Sequence, residues 1–223
     1  MALTTVRSTG ISSLPAISAA NLTSIPAANI TGTLPAISGA NLTGIDENYD
    51  GWKLIRDTTI STGDSYVTLT GLFSDTYENY VINFMGLQPS TACYVLMNVV
   101  TGSSDVLTSS SYEYAGYGQQ DDNTKVESYS NGGQDKIYIQ PSVHRSDEHM
   151  NFTMWYSRPK GVGANKPILH WKGGYVQNTS YKRTTWHGMA HVDTTTELTG
   201  FKLHLSASAT FNDLQIQVLG GKT

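Results

Sequence analysis

The chain has 223 residues, a formal net charge of −4 and 14% charged residues, against about 25% in a typical soluble domain. A mildly acidic chain with no Lys/Arg run lacks the concentrated basic face that a nucleic-acid partner needs, and no apolar run approaches the roughly 20 residues of a membrane span. Cys93 is the only cysteine, which excludes an internal disulfide.

The charge is unevenly placed. Arg7 is the only charged side chain in residues 1–45, and that stretch holds no Phe, Tyr or Trp; the aromatics begin at Tyr49. Two kinds of chain meet near residue 46. The expected division is an N-terminal attachment segment and repeat stalk over 1–45 and one β domain over 46–223. The opening MALTTVRSTG has no basic region leading into an apolar stretch, so a Sec signal peptide is not expected.

Within the first segment, Leu14-Pro15-Ala16-Ile17-Ser18-Ala19-Ala20-Asn21-Leu22-Thr23-Ser24-Ile25 returns as Leu34-Pro35-Ala36-Ile37-Ser38-Gly39-Ala40-Asn41-Leu42-Thr43-Gly44-Ile45. A shorter copy, Ile25-Pro26-Ala27-Ala28-Asn29-Ile30-Thr31-Gly32, lies between them. Single Leu or Ile residues stand among small polar ones, and the prolines interrupt any helix. Such a repeat cannot bury its apolar residues within one chain. A disordered linker, a single-chain solenoid and a stalk of several intertwined chains are the competing readings. Regularly kept apolar residues favour the stalk, because a linker has no use for them.

From residue 46 onward the period changes to two, the signature of half-buried strands. Val67 and Leu69 alternate with Thr68 and Thr70. Tyr80–Met85 and Tyr94–Val100 are apolar on both faces and suit central strands. Phe152, Met154 and Tyr156 alternate with Thr153 and Trp155. Phe201, Leu203 and Leu205 alternate with Lys202 and His204, and Leu214, Ile216 and Val218 with Gln215 and Gln217. Turn signals fall at Ser61-Thr62-Gly63-Asp64, Thr101-Gly102-Ser103-Ser104, Asn131-Gly132-Gly133, Gly161-Val162-Gly163 and Lys172-Gly173-Gly174. The pattern predicts an all-β antiparallel sandwich, jelly-roll-like, of roughly eight to ten strands.

Two stretches carry candidate ligand chemistry. Residues 112–123 combine Tyr112, Tyr114 and Tyr117 with glycines, amides and carboxylates. A flat ring covers the apolar face of a pyranose while amides and carboxylates bond its hydroxyls, so this reads as a sugar-binding loop. The competing reading is a strand whose tyrosines pack at a sheet edge. Residues 171–191 hold Trp171, Tyr181, Arg183 and Trp186, with Tyr181-Lys182-Arg183 at a turn where an anionic sugar could be met. Against this, Trp171 and Trp186 could fill the core. The expected ligand-binding set is Tyr112, Tyr114, Tyr117, Trp171, Tyr181, Arg183 and Trp186.

His187, His191 and Asp193 would share one face of a strand, which is compatible with a metal. The helical zinc motif is missing, and exposed or core histidines are the default, so no metal or cofactor is expected. Asp121-Asp122 and Asp147-Glu148 are adjacent pairs whose members point to opposite faces of a strand, so neither is a ready glycosidase dyad. There is no nucleophile elbow and no phosphate loop. Cys93 sits in an apolar run and reads as a core residue.

The repeat at residues 34–45 resembles those that lead into fibre tips of tailed bacteriophages, notably phages of cyanobacteria and marine bacteria. Ser65-Tyr66-Val67-Thr68-Leu69-Thr70-Gly71-Leu72 with Tyr77-Glu78-Asn79-Tyr80 is similar to the first strands of such tips. Thr194–Phe201 and the closing Phe211–Gly220 are similar to their last two strands. The resemblance to tail-fibre or receptor-binding proteins implies a homotrimer, an intertwined stalk and a jelly-roll-like tip. It also implies a place in the virion after synthesis in the bacterial cytoplasm, non-catalytic attachment to a host surface polysaccharide (lipopolysaccharide or capsule), and docking through the N-terminus to another tail or baseplate protein. The rival readings are a fibre-borne polysaccharide depolymerase and a purely structural virion part.

Overall fold

The computed structural model describes residues 51–103, 105–108, 110–121, 125–143, 149–161, 166–177 and 182–221. The expected stalk over 1–45 lies outside them. All regular structure among the described residues is strand, in two antiparallel sheets packed face to face. The larger sheet has the order β1 (Trp52–Thr59), β13 (Phe211–Gly221), β3 (Asn79–Pro89), β9 (Met150–Ser157), β10 (Ile168–Gln177), β11 (Lys182–Val192), β6 (Tyr112–Gln120) and β7 (Lys125–Gln134). The smaller has β2 (Tyr66–Leu69), β12 (Leu198–Leu205) and β4 (Cys93–Thr101). The far edge of β4 is shared by β8 (Ile137–Val143) against Cys93–Met97 and by β5 (Asp105–Val106) against Val100 and Thr101.

The alternation in the sequence becomes the core. Phe152, Met154 and Tyr156 on β9, Leu214, Ile216 and Val218 on β13 and Phe201, Leu203 and Leu205 on β12 are all buried between the sheets. β4 is buried on both faces except at Tyr94, as its largely apolar run suggests. Its outward Asn98 is covered because its Nδ2 donates to the carbonyls of Leu107 (3.0 Å) and Asp135 (2.7 Å). β3 differs from expectation. Tyr80, Ile82 and Phe84 are buried, whereas Val81, Asn83 and Met85 are only partly covered, because the outer face of the large sheet opens to solvent. Cys93 is buried, and burial pushes its thiol up to about 12, so it stays protonated and inert.

Thirteen strands are present among the described residues, more than the eight to ten predicted. Two of the predicted turns are instead strand interior. Gly173 and Gly174 lie inside β10, and Asn131, Gly132 and Gly133 inside β7. At Gly173 the requirement is space. A Cβ there would collide with Phe152 on the neighbouring strand.

The same requirement organises the inner face of β10, β11 and β6. Trp186 is paired with Gly118 on one side and Gly173 on the other, and Trp171 is paired with Gly188. The Trp186 ring fills the furrow over Gly116 and Gly118, and the Trp171 ring lies over Gly188, so a methyl group at Gly118 or Gly188 would overlap an indole. Both tryptophans are 2% exposed. Gly in a strand costs roughly 0.5–1 kcal/mol relative to Ala. Truncating a buried Trp costs about 3–5 kcal/mol, so close packing of the indoles outweighs the glycine penalty.

Polar tips of three buried aromatics then tie the large sheet to the small one. The Tyr112 hydroxyl donates to Leu107 O (2.6 Å) and accepts from Val99 N–H (2.9 Å). Trp171 Nε1 donates to Ile139 O (3.0 Å), and the Tyr156 hydroxyl donates to Met97 Sδ (3.1 Å). Burial pushes the Tyr112 phenol up to about 12 and likewise raises that of Tyr156, so both remain donors throughout the physiological range.

Gly118→Ala is therefore expected to destabilise the domain by about 3 kcal/mol, near the upper end for overpacking, because a Cβ cannot share the Trp186 site. Chemical denaturation measures it. The double variant Gly118→Ala/Trp186→Leu should lose less than the sum of the two single losses.

Candidate functional site

The expected ligand-binding set is divided by the fold. Residues 112–120 form β6 rather than a loop, and Trp171 and Trp186 lie within β10 and β11. Tyr112, Tyr114, Trp171 and Trp186 point inward and are buried (0%, 6%, 2% and 2% exposed), so they build the core and do not face a ligand. The large ring surfaces that would suit a sugar are the same ones that fill the space over Gly116, Gly118 and Gly188. Tyr117 and Arg183 do lie on the outer face. Tyr117 is half-buried beside His187 (ring centroids 5.3 Å apart), and Arg183 is exposed with its backbone N–H donating to Asp121 Oδ2 (3.3 Å). Tyr181 lies outside the described residues.

The outer face of the large sheet follows from the pleat. Every residue out of phase with the core points away from it. In register across the strands, these outward residues form rows. One row contains Leu54, Leu219, Val81, Trp155, His170 and Met189 and is mainly apolar. The next row contains Asp57, Gln217, Asn83, Thr153, Lys172 and His187 and is polar throughout. Apolar and polar surface thus lie side by side on this face.

Two depressions are cut into this face. The first, of about 280 Å³, is flanked by Trp52 and Trp155, with Asn79, Ser157 and Gly221 between them. Trp52 is 49% and Trp155 40% exposed, although tryptophan is usually well buried. The Trp52 ring lies against Gly221, its register partner, which leaves the other face of the indole open to solvent. Trp52 and Trp155 are separated by three strand spacings and two residues along β9, about 16 Å in all. The second depression, of about 260 Å³, is lined by Asn83, Met85, Asn151, Thr153 and Lys172. It lies four residues further along β3, about 13 Å away.

No protein-family model, curated protein or solved structure matches this chain.

Neither Trp52 nor Trp155 belongs to the expected set, yet a signal for Trp155 was present. It occupies the polar phase of the strand Phe152-Thr153-Met154-Trp155-Tyr156, where a core residue does not belong. Trp52 carries no comparable signal, because it begins an edge strand that is exposed at most positions.

The three residues that could have shared a metal have other neighbours. His191 Nε2 lies 3.5 Å from Glu113 Oε2, Asp193 pairs with Lys166 at 3.1 Å, and His187 contacts the Tyr117 ring. Among the described residues no three His, Cys, Asp or Glu side chains are grouped to hold a metal. On β1, Asp57 accepts hydrogen bonds from the side-chain amides of Gln215 (2.9 Å) and Gln217 (3.1 Å), which hold its carboxyl below the usual carboxylate range.

The strongest pH-dependent feature lies on the small sheet. His204 Nε2 is 2.9 Å from Asn98 Oδ1, whose own amide nitrogen is spent on two carbonyls, so the neutral imidazole donates. Burial, helped by the positive charges of Lys202 and Lys136, holds His204 down to about 4. The unfolded chain takes up this proton at the ordinary value near 6.5. Stability from this group is complete above that value and falls as pH drops from it toward 4. Thermal melts at pH 7, 6, 5 and 4.5 should fall less steeply for His204→Gln than for the natural chain.

Proposed function

We propose that the chain is a non-catalytic adhesin of the tailed-phage fibre kind, acting as a homotrimer on an intertwined N-terminal stalk. Its β domain is a jelly-roll-like tip that binds a surface polysaccharide of the bacterial host. The observation that carries the carbohydrate reading is the pair of half-exposed tryptophans flanking small polar residues on an open sheet face. Indole surfaces cover the apolar C–H faces of sugar rings at low entropy cost, and neighbouring amides and hydroxyls bond the sugar's oxygens. Gly221, Asn79 and Ser157 offer a low floor over which a ring can approach. A depression of this volume sits at the small end for ligand sites and suits one sugar unit of a longer chain.

The resemblance of residues 34–45 to fibre repeats supports the setting. Threefold repetition of a weak site raises overall binding by roughly 10²–10⁴ where the sites can be reached together, which suits adhesion to a repeating polymer. A virion location and attachment to a further tail or baseplate protein complete this reading.

Purified protein is expected to block adsorption of the phage that carries it, and extracted host polysaccharide to relieve the block. Trp155→Ala is expected to weaken polysaccharide binding about tenfold or more without lowering the melting temperature, because the side chain is on the surface. Isothermal titration and adsorption assays measure this. Release of shortened oligosaccharides by the natural protein would favour the depolymerase instead.

A further inference from the structure

We propose that the second depression on the outer face binds an anionic group, so that the ligand is an acidic polysaccharide rather than a neutral one. This rests on the carbohydrate reading above and adds the charge class of the sugar.

The inference comes from which hydrogen-bonding groups the fold has used. Asn151 Oδ1 accepts the Gly86 N–H at 2.8 Å. Since a backbone N–H can only donate, this bond orients the amide and leaves Asn151 Nδ2 turned away from it. Asn83 Oδ1 accepts from the Thr153 hydroxyl at 2.9 Å, so its Nδ2 is likewise left over. Lys172, exposed on β10 directly across from Thr153, forms no ion pair among the described residues. Each amide oxygen at the depression already has a protein donor, while the two amide N–H₂ groups and the Lys172 ammonium have no partner among the described residues. An ammonium and two amide N–H₂ groups on one small surface fit a carboxylate or a phosphate oxygen, through charge-assisted bonds that are shorter and stronger than neutral ones.

The wider field agrees. The chain as a whole is acidic, yet β3, β9, β10 and β11, which form the centre of this face, contain no Asp or Glu. Asp57 on β1 is held by Gln215 and Gln217, and Glu113 on β6 lies beside His191. Asp213 on β13 is the carboxylate beside the depression: its Oδ2 lies 3.6 Å from where a Cβ of Gly86 would stand, on the side of β3 away from Lys172. The Lys172 side of the depression, on strands free of carboxylates, carries the positive and donor groups and favours an anionic chain there. The first depression would then hold a ring against tryptophan, and the second an acidic unit further along the same polymer, about 13 Å away along the strands.

The test is retention on an array of purified bacterial polysaccharides that includes neutral, uronate-bearing and phosphate-bearing members, together with carboxyl-reduced copies of the uronates. The natural protein is expected to be retained on anionic members. Preference for the uronates or for the phosphates identifies which source supplies the anion. Lys172→Met, which keeps most of the aliphatic stem, should weaken that retention about tenfold or more, and Lys172→Arg should restore it. Equal retention on neutral and carboxyl-reduced members, or unchanged retention of Lys172→Met on anionic ones, overturns the inference. If Trp155→Ala still abolishes retention in that case, the carbohydrate reading stands without it. No retention of the natural protein on any member overturns both.

Discussion

The fold depends on the fit of two indoles into strands that have given up their side chains. Trp186 occupies the space over Gly116 and Gly118, and Trp171 the space over Gly188, in a row-by-row exchange of large for absent side chains across β10, β11 and β6. Each glycine is unfavourable in a strand, by up to about 1 kcal/mol. Each buried tryptophan contributes several times that amount, so the exchange is favourable only where glycine and indole are in register. It therefore acts as a register lock. A slip of one residue would drive Trp171 and Trp186 to the solvent side and bring Lys172 and His187 into the core.

This lock also creates the candidate site. On a pleated strand, the choice that sends Trp171 inward sends His170 and Lys172 outward, and the choice that buries Met154 and Tyr156 exposes Trp155. The tethers from Tyr112, Tyr156 and Trp171 to the small sheet fix the inward side. The outward rows are then held by a rigid scaffold rather than by loops. A flat, preformed surface of this kind loses little conformational freedom when a ligand lies on it.

Much of the architecture was legible in the sequence because alternation is a local property. β9, β12 and β13 can be read directly, and the largely apolar run of β4 correctly marks a strand buried on both faces except at Tyr94. The aromatics were misassigned for a physical reason. Sequence shows that a tryptophan is present and that glycines lie elsewhere, but the pairing of Trp186 with Gly118 joins residues far apart in the chain. Without it, Gly116 and Gly118 look like loop residues, Gly173 and Gly174 look like a turn, and Tyr112 and Tyr114 look available to a sugar. Phase within the strand was the better guide. Trp155 and Lys172 stand opposite in phase to Met154 and Trp171, and that parity separates the exposed face from the core even before the partner strands are known.

On the proposed reading the ligand meets outward side chains of the eight-stranded sheet, Trp52, Trp155 and Lys172 among them, and not the inward Tyr112, Tyr114, Trp171 and Trp186. Fluorotryptophan-labelled protein tests this most directly, because the chain's 4 tryptophans divide into two on the outer face and two in the core. On addition of a polysaccharide that binds, the fluorine signals of Trp52 and Trp155, assigned by single Trp→Phe variants, should shift or broaden while those of Trp171 and Trp186 stay in place. A bound polysaccharide that leaves Trp52 and Trp155 unperturbed would put the binding surface elsewhere on the domain.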